Sequence, residues 1–150
     1  MANISGSSTA DIDAPLDQVW TLVEDVESAP QWQGGLNALT ALDRDDQGRP
    51  VRCQTETDGK VKSIKSVVRF TYDGPTSLSW TQEKGDLKSV DGSWELHDLG
   101  DGRTQATYSI DVDLGRTLGM LVRGPVVDVL RHMLVSARAG ELKTRIESGS

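Results

Sequence analysis

The sequence predicts an α+β domain in which one antiparallel sheet is covered by a long C-terminal helix, and three observations lead there. Near the start, Ile12-Asp13-Ala14-Pro15-Leu16-Asp17-Gln18-Val19-Trp20 turns from strand into helix within a few residues. Between Leu36 and Leu114, runs of strand character are separated by turn signals at regular intervals. From Pro125 to about Glu147, apolar residues recur at helical spacing.

The first strand ends at Asp13 or Ala14. Pro15 suits the first helical position, where its missing N–H costs nothing, and Leu16, Val19, Trp20 and Val23 fall on one helical face. A second short helix is expected at Ser28-Ala29-Pro30-Gln31-Trp32, with Ser28 as its cap and Trp32 as an apolar anchor. Strands follow at about 36–44, 50–58, 61–73, 77–84, 87–98 and 103–113, divided by Asp45-Asp46-Gln47-Gly48, Asp58-Gly59, Asp73-Gly74-Pro75, Lys84-Gly85-Asp86 and Gly100-Asp101-Gly102. The clearest alternation sets Ala106, Tyr108, Ile110, Val112 and Leu114 against Thr107, Ser109, Asp111 and Asp113, so one face meets a core and the other meets water.

One-sided strands need a helix on their apolar face. Val126, Val127, Leu130, Met133, Leu134, Ala137 and Leu142 supply its stripe. At about 1.5 Å per residue the helix reaches roughly 33 Å, enough to cross a sheet. Leu118 to Arg123 forms a preceding turn that Gly124-Pro125 kinks or separates.

The 150 residues suit a single domain spanning 1–150, and a chain of that length buries roughly 70% of its unfolded surface. The net charge of −7 argues against a nucleic-acid partner. That charge is uneven: residues 1–113 carry −10 and residues 114–150 carry +3. Intramolecular complementarity explains the asymmetry, with transient contact of the basic helix with a lipid surface or a protein partner as the alternative. Cys53 is the only cysteine, so no intrachain disulfide forms. Met1 to Ala14 lacks a charged start followed by an apolar run, and Arg116, Arg123, Asp128, Arg131 and His132 interrupt the apolar stretch from Leu114 to Leu134. A cytoplasmic protein without integral membrane association is expected.

Ile12-Asp13-Ala14-Pro15 followed by Val19-Trp20, then Trp32, Gly92-Ser93-Trp94-Glu95-Leu96 and Gly102-Arg103-Thr104-Gln105-Ala106-Thr107-Tyr108 resemble, in order and spacing, the START-like (SRPBCC) superfamily. Within it they look like the polyketide cyclase/dehydrase and lipid-transport branch. The resemblance covers nearly the whole chain and implies the helix-grip fold: a curved seven-stranded antiparallel sheet around the last helix, with two short helices after the first strand. It also implies an apolar cavity that receives a hydrophobic small molecule.

Phe70, Tyr72, Trp80, Trp94, Tyr108, Leu130, Met133 and Leu134 are the candidate lining residues, with plain core packing as the alternative for each. Small residues such as Gly92, Ala106 and Ala137 could leave volume unfilled. Met120, Leu121 and Val122, framed by Gly119 and Gly124, are a candidate gate, against an ordinary helix break.

Catalytic signals are absent from the sequence. His97 falls on a wet strand face and His132 off the helix stripe, and neither HExxH nor CxxC occurs, so no metal or cofactor is expected. No Gly-x-Ser-x-Gly elbow is present, and Cys53 reads as a small core residue. Tyr72 and Tyr108 are the only inward groups with a usable proton. The leading expectation is binding or transport of a lipid, isoprenoid or polyketide-like molecule. A cyclase/dehydratase-type enzyme is the alternative. A protein-interaction module using the exposed sheet or the basic residues Arg131, Arg138 and Lys143 is the third reading.

Overall fold

The structure, a computed structural model, describes residues 3–149. β1 (Asn3–Ile12) ends at the buried Ile12 and α1 (Leu16–Glu24) follows at once. Pro15 stands one position earlier than expected: it is extended, with φ −69° and ψ 157°, and its carbonyl accepts from the Gln18 and Val19 N–H groups. Val19, Trp20 and Val23 bury the helix face as the spacing requires.

The second short helix is a 3-10 helix over Val26–Gln31. Ser28 lies inside it rather than capping it. Its hydroxyl donates to the Asp25 carbonyl at 2.7 Å and accepts from the Trp32 indole N–H at 3.3 Å, so it satisfies the helix from within.

The sheet continues with β2 (Leu36–Arg44), β3 (Pro50–Asp58), β4 (Ser63–Asp73), β5 (Ser77–Gly85), β6 (Ser89–Gly100) and β7 (Arg103–Asp113). β4 starts two residues later than expected because Val61 and Lys62 belong to the turn after Asp58, where the Gly59 N–H donates to the Lys62 carbonyl at 3.0 Å. The seven strands are antiparallel in the order β1-β7-β6-β5-β4-β3-β2. Register shifts at Ala41/Asp43 and Val67/Val68 bend the sheet, since an extra residue on one strand kinks it. Pairing sets Trp80 between Phe70 and Gly92, and Trp94 between Leu78 and Tyr108, which gathers the large rings on the concave face.

After β7 come α2 (Gly115–Leu121), a break at Val122 to Gly124, α3 (Pro125–Arg131) and α4 (Arg138–Glu147), with a π-helical turn over His132–Ser136 joining the last two. Here the expected stripe is corrected. A π turn inserts one residue into the helical repeat, so burial steps from Leu130 to Val135, then to Arg138 and Ala139, Leu142 and Ile146. Ala137 is only partly buried, and Arg138, expected on the basic surface, lies inside.

The buried side chains divide into two clusters. One joins α1, α4 and the sheet around Trp94, Tyr108 and Leu142. The other joins Ile4, Ile64, Val90 and Val112 to Leu118, Val122, Leu130 and Val135. Trp80 and Ile110 pack against both. Among the described residues no helix is long and apolar enough to cross a membrane.

Candidate ligand cavity

Between the concave sheet and the last helix lies a cavity of about 150 Å³, bordered by members of both clusters. Space of that size has room for on the order of ten waters, or one compact organic molecule. Its sheet wall is a chain of rings. Phe70 and Trp80 have centroids 5.8 Å apart, Trp80 and Tyr108 5.7 Å, Trp94 and Tyr108 4.8 Å, and Trp32 and Trp94 6.2 Å. All four pairs are tilted or edge-on, geometries that suit the ring quadrupoles and hold the wall together. Leu130, Leu134 and Arg138 face it from the last helix.

Gly92 does not leave the unfilled space expected of it. A Cβ there would lie 2.3 Å from Trp80 Cε2 and 2.4 Å from Cζ2, so the missing side chain is what admits the indole.

Six of the eight expected lining residues, Phe70, Trp80, Trp94, Tyr108, Leu130 and Leu134, border the cavity. Tyr72 and Met133 do not. The Tyr72 hydroxyl donates to the Pro50 carbonyl, and the Arg49 guanidinium sits 4.5 Å from its ring centroid, which holds the side chain away at the β3 side. Met133 lies over Gly35, where its Cε would be 2.7 Å from an added Cβ. The expected gate segment also stays off the wall: Met120 and Leu121 are 65% and 53% exposed, and Val122 is buried in the second cluster.

Polar groups on the wall are few. Ser66 donates to Gln82 Oε1 at 2.8 Å, and Thr55 to the Ser66 carbonyl at 3.3 Å. Burial raises the Tyr108 hydroxyl pKa, with the neighbouring Arg138 guanidinium opposing it, so the phenol stays protonated at neutral pH. Arg138 is 3% exposed and pairs with Glu141 at 2.8 Å. Among the described residues Asp25 is the only wall carboxylate, and it is exposed.

Cys53 is buried in the first cluster, and burial pushes its thiol up to about 11, the opposite of what a nucleophile needs. His97 and His132 are both exposed and border no part of the cavity. Among the described residues no group of three His, Cys, Asp or Glu side chains converges as a metal site. The arrangement can therefore enclose an apolar molecule and offer it hydrogen bonds.

Trp32 and Arg138 are among the wall residues outside the expected set. Trp32 was placed as an anchor but not as lining, because its contact with Trp94 joins distant parts of the chain. Arg138 was assigned by its charge to the surface, although its spacing of four residues from both Leu134 and Leu142 puts it on the apolar stripe.

The family model described as polyketide cyclase/dehydrase and lipid transport matches residues 3–147. Among solved structures, the chain is similar to a START superfamily protein from Mycobacterium smegmatis, at 22% identity and TM-score 0.78, covering 97% of this chain and 99% of that one. A Thermus thermophilus protein is similar at 18% identity and TM-score 0.78, covering 99% of each chain. The Streptomyces aromatase/cyclase Zhui is similar at 17% identity and TM-score 0.66, covering 98% of this chain and 84% of that one. At these identities the likeness is one of fold. No curated protein matches the chain.

Proposed function

This chain belongs to the polyketide cyclase/dehydrase and lipid-transport family, and on that footing we propose that it binds or carries a hydrophobic small molecule between the sheet and the last helix. The observation that carries the reading is the cavity wall, a continuous run of tilted aromatic rings faced by Leu130 and Leu134. Binding is driven by apolar burial: covering about 300 Å² of ligand surface contributes roughly 7 kcal/mol before the costs of association. A lipid fragment, an isoprenoid or a polyketide-like molecule meets that requirement. Native mass spectrometry of the gently purified protein tests it. A discrete adduct of a few hundred daltons, on the order expected for a site of this kind, that is released by organic solvent supports the proposal. Bare protein that also fails to take up added hydrophobic compounds refutes it.

A cyclase/dehydratase reading is favoured by one observation, the protonated Tyr108 hydroxyl beside Arg138 on the wall. Such a pair could polarise a carbonyl or enol. Under this reading Tyr108→Phe abolishes turnover of a polyketide-like substrate while leaving its binding unchanged. Equal turnover by the variant removes the reading.

A further inference from the structure

Apolar binding leaves one wall residue unused, Arg138, which is paired with Glu141, and the geometry points to it as the polar anchor for the ligand. The molecule it selects is neutral and hydrophobic, with a carbonyl-type oxygen rather than a carboxylate. This inference rests on the cavity being a binding site.

Arg138 Nη1 donates to Glu141 Oε1 at 2.8 Å and to the Gly34 carbonyl at 3.0 Å, while Glu141 Oε2 accepts the Gly34 N–H at 2.8 Å. That clamp on the Gly34 loop accounts for Nη1. The guanidinium has five donors, and its buried Nε has no partner among the described residues. A buried charged group with donors to spare is short of an acceptor, and leaving it so is costly. Arg138 borders the cavity and, among the described residues, is the only cation on its wall. A ligand oxygen that meets the guanidinium from the cavity supplies it with a further acceptor.

Charge decides which oxygen. Arg138 and Glu141 already cancel, and the other ionised wall group, Asp25, is negative. A carboxylate ligand therefore adds an uncompensated charge in apolar surroundings, whereas a ketone or ester oxygen accepts a charge-assisted hydrogen bond and adds none.

Three probes of one shape test this: β-ethylnaphthalene without an acceptor, methyl β-naphthyl ketone with a neutral one, and β-naphthoate with an anionic one. Their dissociation constants are read from quenching of tryptophan fluorescence, for the wild-type chain and for Arg138→Met/Glu141→Gln, which removes both charges together. The ketone is expected to bind the wild type about tenfold more tightly than the hydrocarbon, the size of one hydrogen bond to a charged donor, and more tightly than naphthoate. In the double variant ketone and hydrocarbon converge. Equal affinities for all three probes, naphthoate binding tightest, or a ketone preference that survives in the variant would each overturn the anchor while leaving the cavity reading intact. If none of the probes binds the wild type, the cavity reading falls and the anchor with it. Should circular dichroism find the double variant unfolded, the wild-type ranking alone decides.

Discussion

Gly92→Ala is expected to push the Trp80 indole into the cavity. The added Cβ would stand 2.3 Å from Trp80 Cε2, 2.4 Å from Cζ2 and 2.5 Å from Nε1, against an ordinary carbon contact of about 3.5–4.0 Å. The ring must move by more than about 1 Å to restore that separation. Phe70 at 5.8 Å and Tyr108 at 5.7 Å flank it, so the open direction is toward the bound molecule's space. Overpacking of this kind costs about 1–3 kcal/mol, and alanine recovers about 0.5–1 kcal/mol of the glycine penalty in a strand. A net loss of up to about 2.5 kcal/mol lowers Tm by up to roughly 10 °C for a chain of this size. Thermal denaturation followed by near-UV circular dichroism reads both consequences, the lower Tm and a changed tryptophan environment. In a Trp80→Leu background the same alanine has no ring to displace, and its cost should vanish. A Gly92→Ala variant with wild-type Tm and an unchanged aromatic spectrum would mean that the Trp80 ring does not move.

Trp94→Ala should lower stability by about 3–5 kcal/mol, because a side chain 2% exposed loses its contacts with Tyr108 and Trp32; an unchanged urea midpoint contradicts this. Cys53 should resist thiol reagents at pH 8 until the chain is unfolded. Its raised pKa also fixes a sign: the unfolded chain releases the proton near 9.0 while the folded one holds it to about 11, so stability falls as pH rises through that window. Cys53→Ala should fall less over the same range. Glu147 behaves oppositely, since its hydrogen bonds from Lys143 and the Asp13 N–H hold its carboxyl below the ordinary 4.5. It stabilises the fold above that pH and ceases to as pH drops through the lowered value. The stability gap between wild type and Glu147→Gln should be present at pH 7 and close in acid; a pH-independent gap contradicts the assignment.

Most of the sheet was legible because strand and turn carry strong local signals. The runs 36–44, 50–58 and 103–113 match β2, β3 and β7 end to end, since each is bounded by glycine, proline or aspartate. The last helix was harder. A pattern search assumes an unbroken repeat of about 3.6 residues, and the π turn at His132–Ser136 breaks it without any residue that announces the break. That single inserted residue carries Val135 inward and leaves Met133 over Gly35. Arg138 was misplaced for a different reason: arginine is seldom buried unless paired, and its bond to the Gly34 carbonyl is found by folding rather than by spacing. Tyr72 obeyed its alternation, yet a long-range hydrogen bond to Pro50 took it away from the cavity.

The account turns on a guest entering the space between the ring-lined sheet and the last helix. Intermolecular nuclear Overhauser effects between methyl β-naphthyl ketone and methyl-labelled protein test this most directly. The account predicts cross-peaks from the ligand ring to Leu78, Leu130, Leu134 and Val68, which border the cavity. Cross-peaks confined to the exposed Met120, Leu121 and Val129 would place the molecule on the outer surface and contradict it.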